Sequence, residues 1–172
     1  QRVWQSPFGA GIALSVGVPI RLFSCEVSAI PLLVGIAANN VLKNLGANAK
    51  LKWPNDLMIE MESAELRKIG GILVQRQDEF VVIGIGINVD LKLEELPTDN
   101  ATSLSILNIE ASREALIATL LVELEKATKL SSDEWLPLYA KHSSTIGTHV
   151  CVTRKSDSLV TGIATKVLNS GE

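Results

Sequence analysis

Two β-rich runs on either side of a short polar break constrain this fold more than any other stretch of the chain. Lys68 to Gln75 and Glu79 to Val89 are dense in isoleucine, valine and leucine, and Gln77-Asp78 lies between them. Runs of that length, bounded by a turn, predict an antiparallel hairpin. Both carry glycine where a strand former is expected: Gly70-Gly71 in the first, Gly84 and Gly86 in the second. Glycine weakens a strand unless a ligand or another backbone comes close. The hairpin is therefore expected to present a face that something approaches.

The flanking sequence supplies what such a hairpin packs against. From Gly11 to Val18, Ile12, Leu14 and Val16 alternate with small residues, as in a half-buried strand. Ser28 reads as an N-cap with Pro31 in the first turn, and Leu32, Leu33, Ile36, Ala37, Val41 and Leu42 recur at helical spacing before Gly46. That pattern predicts a helix over 29–45. Lys50 to Trp53 is a short strand ended by Pro54, residues 56–60 form another, and Glu60 to Arg67 is a polar loop. Helices are predicted from Ser112 to Lys129, with Leu116, Leu120 and Leu124 on one face, and from about Glu134 to Lys141. From His149 the pattern changes to short β runs, Val150-Cys151-Val152 and Leu159 to Val167. The order of elements does not alternate regularly, which favours an α+β fold with a largely antiparallel sheet packed by helices.

Composition narrows the chemistry. The 172 residues suit one domain plus a small appendage, and 47% of them are apolar but only 4% aromatic, so an aliphatic core is expected. A net charge of −3 argues against non-specific nucleic-acid binding, which needs a basic surface. Cys25 and Cys151 are isolated, and neither His142 nor His149 has a partner at metal-ligand spacing. Reduced thiols imply a cytoplasmic protein. The longest apolar stretch, Ile30 to Ala38, is too short to span a membrane. Gln1 opens directly onto Arg2-Val3-Trp4 with no signal pattern, and both ends are abrupt, as expected of a piece of a longer protein.

Three motifs carry the functional argument. In Lys52-Trp53-Pro54-Asn55-Asp56, proline ends a strand and turns an amide and a carboxylate out at its tip, although the same residues make an ordinary turn. Lys68 precedes Ile69-Gly70-Gly71-Ile72-Leu73. A lysine there is either a solvated strand guard or a cation placed to hold a carboxylate and to stabilise charge on an oxygen. Gly84-Ile85-Gly86-Ile87-Asn88 lacks the third glycine and helix start of a dinucleotide fingerprint. Asn88 either closes the strand or reads an adenine edge through its paired donor and acceptor.

Taken in order, the motifs resemble the catalytic domain of biotin–protein ligases. In that family Lys-Trp-Pro-Asn-Asp is followed by Lys-x-x-Gly-Ile-Leu and Gly-x-Gly-x-Asn, matched here at Lys52 to Asp56, Lys68 to Leu73 and Gly84 to Asn88. Arg2-Val3-Trp4-Gln5-Ser6-Pro7-x-Gly9 is similar to the tail of the family's arginine-glycine loop, and Ala101-Thr102-Ser103-Leu104 to a further family segment. Only the final arginine and tryptophan of that loop are present, so weak biotin binding and impaired ligation are expected of residues 1–172 alone.

The resemblance implies a class II synthetase-like catalytic domain over 1–146, followed by an incomplete SH3-like β-barrel over 147–172. It implies activation of biotin by ATP to biotinyl-5′-AMP, with Mg²⁺, and transfer to a lysine of a biotin carboxyl carrier protein domain of a carboxylase. It implies catalytic roles for Lys68, Asp56 and Asn55, with Asp56 also on the metal. Biotin would meet Arg2, Trp4, Lys68, Gly70, Gly71, Leu73, Gly84 and Gly86. The adenylate would meet Asn55, Asn88 and Lys52. A homodimer is compatible with the resemblance, and no DNA-binding domain is seen in this chain. A lipoate-type ligase shares the fold but lacks the Lys-Trp-Pro-Asn-Asp wording, and a non-catalytic binding fragment is the other alternative.

Overall fold

The computed structural model describes residues 7–153 and 158–172. Strand β1 (Gly11–Pro19) leads through two short 3-10 turns into helix α1 (Ile30–Asn44). Four strands follow as a meander: β2 (Ala49–Lys52), β3 (Asp56–Glu60), β4 (Leu66–Gln77) and β5 (Phe80–Asn88). Helices α2 (Arg113–Thr128) and α3 (Ser132–His142) come next, then β6 (His149–Thr153) and β7 (Leu159–Ile163). The first five strands form one antiparallel sheet in the order β1-β5-β4-β3-β2, and β6 and β7 form a separate hairpin. The expected α+β architecture is the one observed.

One face of the sheet is the core face. Val81, Ile83, Ile85 and Ile87 of β5 are all at most 2% exposed, and they alternate with glycine and exposed residues. Helix α1 lies against this face at Gly35, where a Cβ would meet Leu51 Cδ2 at 3.3 Å and Ile72 Cδ1 at 3.7 Å. Because β1 and β2 are at opposite edges, α1 must cross the sheet between them. Its apolar residues are buried nearly all round, since α2 and α3 cover its other side. The core is aliphatic apart from Phe23, Trp135 and Tyr139.

Three local expectations need correction. Ser28 does not cap α1: it sits inside the 3-10 turn Val27–Ala29, whose last residue occupies the cap with no side-chain hydrogen bond. The hairpin turn falls at Asp78-Glu79, one residue later than expected, because Gln77 pairs with Phe80. Asp78 takes φ 53°, a left-handed conformation that aspartate tolerates. Strand β7 ends at Ile163 and does not continue to Val167.

Asn39 is anomalous within α1. It is fully buried, and both polar atoms of its amide lack a hydrogen-bond partner. Leaving such groups unmade costs about 1–3 kcal/mol. Asn39→Leu, similar in shape and without the polar atoms, is therefore expected to raise the melting temperature. A lower melting temperature in thermal denaturation would show that the amide is satisfied in solution.

Candidate functional site

The site lies on the sheet face turned away from α1. Cross-strand pairing sets one row of that face: Ala13 opposite Gly86, Gly86 opposite Gly71, Gly71 opposite Asp56, and Asp56 opposite Lys52. The adjacent row runs Ser15, Gly84, Leu73. Apart from Leu73, the three strands thus contribute no side chain beyond a methyl or hydroxymethyl to these rows, and the result is a trough floored by backbone. It ends at Asp56, and the ammonium of Lys68 donates a hydrogen bond to Asp56 Oδ1.

A β-bulge brings Lys68 to this face. Gly70 pairs with Leu57 and Lys68 with Met58, so Ile69 is an extra residue without a partner, and it is fully buried. Bulges re-aim side chains beside functional sites. Here the bulge reverses the alternation upstream of Gly70 and sets Lys68 on the same face as Gly71. A Cβ on Gly71 would lie 3.6 Å from Lys68 Nζ. The backbone of Lys68 is held as well: its N–H donates to Asn100 O at 2.7 Å, and its carbonyl accepts from Thr102 N at 2.9 Å.

The turn after β2 is fixed on two sides. Across the Trp53-Pro54 peptide, which is cis, Asn55 is stapled to β4: its Nδ2 donates to Ile72 O at 2.7 Å, and Ile72 N donates to Asn55 O at 2.9 Å. Trp53 N donates to Thr145 Oγ1 at 2.9 Å, and its indole N–H to Gly171 O at 2.8 Å. The segment after β7 therefore braces this motif. Between the sheet edge and the β6–β7 hairpin opens a cavity of about 980 Å³, lined by Lys52, Asp56 and Lys68 on one side and by Thr148, Cys151 and Lys166 among others on the other. Asp56 and Lys68 stand where trough and cavity meet.

The structure brings together Lys52, Asp56, Lys68, Gly71, Leu73, Gly84 and Gly86 on this face. Leu73 is 69% exposed at the trough's side. Gly70 does not join them: it pairs with Ile87 on the core side, where a Cβ would stand 2.4 Å from Gly86 O. Its expected place in the wall of the trough is corrected to a close backbone approach behind the floor. Asn88 shares the open face but is 3% exposed, and its Nδ2 donates to Thr102 O at 2.9 Å. Arg2 and Trp4 lie outside the described residues.

Sequence reasoning missed Asn100, Thr145 and Gly171. Each acts through a backbone or hydroxyl group far along the chain from the motif it supports, and no local pattern announces that. Burial pushes the Cys25 thiol up to about 11, with a lesser contribution from Glu26. Among the described residues no group of three or more His, Cys, Asp and Glu is gathered to hold a metal, and no helix is long and apolar enough to cross a membrane.

An open glycine-floored sheet face thus ends in a lysine–carboxylate pair. The model of the biotin/lipoate A/B protein ligase family matches residues 1–91 of the 172, and the chain belongs to that family. The bifunctional ligase/repressor BirA of Escherichia coli is 34% identical over 146 residues, which cover 80% of this chain and 44% of that protein. Biotin–[acetyl-CoA-carboxylase] ligase of Mycobacterium tuberculosis is 34% identical over 181 residues, 99% of this chain and 65% of that one. The chain thus spans less than two thirds of either relative. The crystal structure of biotin protein ligase from Aquifex aeolicus superimposes with a TM-score of 0.77 at 22% identity, covering 94% of this chain and 72% of that one. The same enzyme in complex with biotin and ATP gives 0.75, covering 94% and 69%. At that identity the likeness establishes the fold.

Proposed function

We propose that this chain carries the catalytic site of a biotin–protein ligase, which activates biotin with ATP and transfers it to a lysine of a biotin carboxyl carrier protein domain. The row Ala13, Gly86, Gly71, Asp56, with Lys68 at its end, is the observation that carries this reading. A fused ureido ring and its aliphatic tail need a floor without side chains, and the tail's carboxylate needs a cation at the far end. Gly71, Gly84, Gly86 and Leu73 supply the floor and its side. Lys68 supplies the cation.

In the first step a carboxylate oxygen of biotin forms a bond to the α-phosphorus of ATP. The bond to the bridging oxygen breaks, and pyrophosphate leaves with the electron pair. Lys68 holds the attacking carboxylate and stabilises charge that develops on the oxygens. Lys52 lines the adjoining cavity, which would take the departing phosphates. In the second step a neutral carrier amine attacks the acyl carbon, the acyl–oxygen bond to AMP breaks with its electron pair leaving on AMP, and the surplus proton of the amine passes to solvent. The same ammonium then faces the acyl oxygen.

Asp56 would hold a Mg²⁺ ion, since sites for that ion need only one or two protein carboxylates. When bound, the ion neutralises charge on the phosphates. Asn55, pinned to Ile72, keeps the adjoining Asp56 in register with Gly71. The β6–β7 hairpin and its tail, residues 147–172, form a second module whose role is to wall the cavity.

The test is transfer of labelled biotin to an apo carrier domain, with lipoate in parallel. ATP-dependent labelling with biotin and not with lipoate is expected. Labelling with lipoate alone would reject the substrate assignment.

A further inference from the structure

We propose that Trp53 is a positioning residue for Asp56, and that its indole N–H ties the turn carrying Asp56 to the tail of the second module. This rests on the ligase reading of the site. One bond with a firmly held acceptor makes the tie: Trp53 Nε1 donates to Gly171 O at 2.8 Å. Gly171 takes φ 83°, a conformation that favours glycine. A Cβ there would stand 2.8 Å from Ser28 O and 2.9 Å from Ala29 Cα, so the tail is wedged against the entry to α1. The tail also closes on itself, with Gly171 N donating to Leu168 O and Leu168 N to Glu172 O, both at 2.8 Å. The carbonyl that meets the indole is therefore fixed from behind.

Trp53 is held a second time where the chain enters that module. β2 is an outer strand of the sheet, and outer strands present unpaired backbone groups. The segment after α3 meets them here. Leu51 and Ser143 form a parallel bridge, Ser144 N donates to Leu51 O at 2.8 Å, and Trp53 N donates to Thr145 Oγ1 at 2.9 Å. The backbone of Trp53 is thus gripped at the start of the module and its side chain at the end. Three residues on, Asp56 accepts from the ammonium of Lys68. Asn55 pins the far side of the same turn to Ile72. Losing the indole bond frees the near side of the turn alone. Asp56 then shifts against Lys68, while the floor of Gly71, Gly84 and Gly86, which β4 and β5 build, stays in place. A small misplacement of a reacting group lowers the rate.

Trp53→Phe keeps an aromatic ring and deletes the donor. Gly171→Ala breaks the same contact from the other side. Each variant of the full chain, and the two combined, are followed in single-turnover formation of biotinyl-5′-AMP and in calorimetric titration with biotin. Transfer from supplied biotinyl-5′-AMP to an apo carrier domain is followed as well. Pyrophosphate takes part only in adenylate formation, the step in which Asp56 faces the phosphates. Adenylate formation is expected to fall about tenfold in each single variant, with biotin affinity and transfer nearly unchanged. The double variant should lose about the same tenfold and not about a hundredfold, because both changes remove one contact. Amide exchange should rise at position 53 and at Ser144 and stay unchanged at Ile83 and Ile85 of β5.

Equal losses in all three measurements, or losses that multiply in the double variant, would reveal two ordinary packing defects and overturn the proposal. So would adenylate formation at the parent rate in Trp53→Phe. If the parent chain forms no adenylate at all, the ligase reading fails, and exchange at position 53 and Ser144 still decides whether the indole bond holds the turn. Should either variant not fold, Thr145→Val removes the other grip on Trp53 while keeping the shape of the side chain. A lower rate of adenylate formation with biotin affinity retained is then expected, and an unchanged rate would count against the proposal.

Discussion

Lys68→Ala is expected to lower biotinyl-5′-AMP formation by about 10²-fold or more, since one preorganised donor aimed at developing charge is worth that much. Lys68 is held by its backbone at Asn100 and Thr102, and its ammonium is joined to Asp56. The truncated side chain leaves those backbone bonds in place. The Lys68 and Asp56 side chains are 37% and 20% exposed, so water can take over the carboxylate and the loss of stability should stay within about 1 kcal/mol. Rate and fold are thus expected to separate: a large drop in single-turnover rate with an almost unchanged melting temperature. Lys68→Arg should recover only part of the rate. A planar guanidinium forks across two acceptors and cannot replace a compact ammonium wedged beside Gly71. A near-normal rate in Lys68→Ala would place the catalytic cation elsewhere.

The sequence reveals the sheet more fully than the wiring of the site. β4 and β5 are legible because long β-branched runs beside a turn have few other outcomes, and α1 because its apolar residues recur at helical spacing. Ser28 misleads for a physical reason: a local cap signal is overridden when the chain enters the helix through a 3-10 turn that makes its own bond, Ala29 N to Glu26 O at 2.9 Å. The bulge at Ile69 is invisible in the sequence, because a bulge is a property of two strands in register. Gly70 and Gly71 look alike for the same reason. Only pairing reveals that they face opposite sides, one against backbone and the other against Lys68.

The motif Lys52 to Asp56 is legible as a strand end with polar residues at its tip, but not as a clamped one. Trp53 and Gly171 are 118 residues apart, and their bond joins an indole to a backbone carbonyl, which leaves no trace in local sequence. Asn88 shows the same limit. Its residue type is compatible with reading a base and with bracing a loop. In the fold its Nδ2 donates to Thr102 O, a long-range bond that the residue type alone does not announce.

The glycines yield the sharpest contrast. Gly70→Ala and Gly84→Val are expected to fail in opposite ways. A Cβ on Gly70 would stand 2.4 Å from Gly86 O and 3.1 Å from Leu57 Cδ1. The first of these is backbone of a central strand and cannot turn aside as a side chain can, so β4 and β5 must separate. Overpacking of this kind costs about 1–3 kcal/mol or more. Gly70→Ala should therefore melt well below the parent, and what binding it loses should follow from damage to the sheet.

At Gly84 a Cβ meets only Leu73 Cβ and O, both at 3.7 Å, which is ordinary contact. Valine is also a better strand former than glycine. Gly84→Val should consequently fold as well as the parent or better. Its two methyl groups, however, rise into the trough beside Leu73, where the proposed biotin floor has no room for them. Biotin affinity is expected to fall on the order of tenfold or more, the equivalent of about 1.4 kcal/mol of overpacking against the ligand. Thermal melts and calorimetric titration with biotin on the same two variants read both outcomes. If Gly84→Val binds biotin like the parent, the open face of β5 is not the floor of the site. If Gly70→Ala melts like the parent, the close approach of Gly70 to Gly86 is not what demands glycine there.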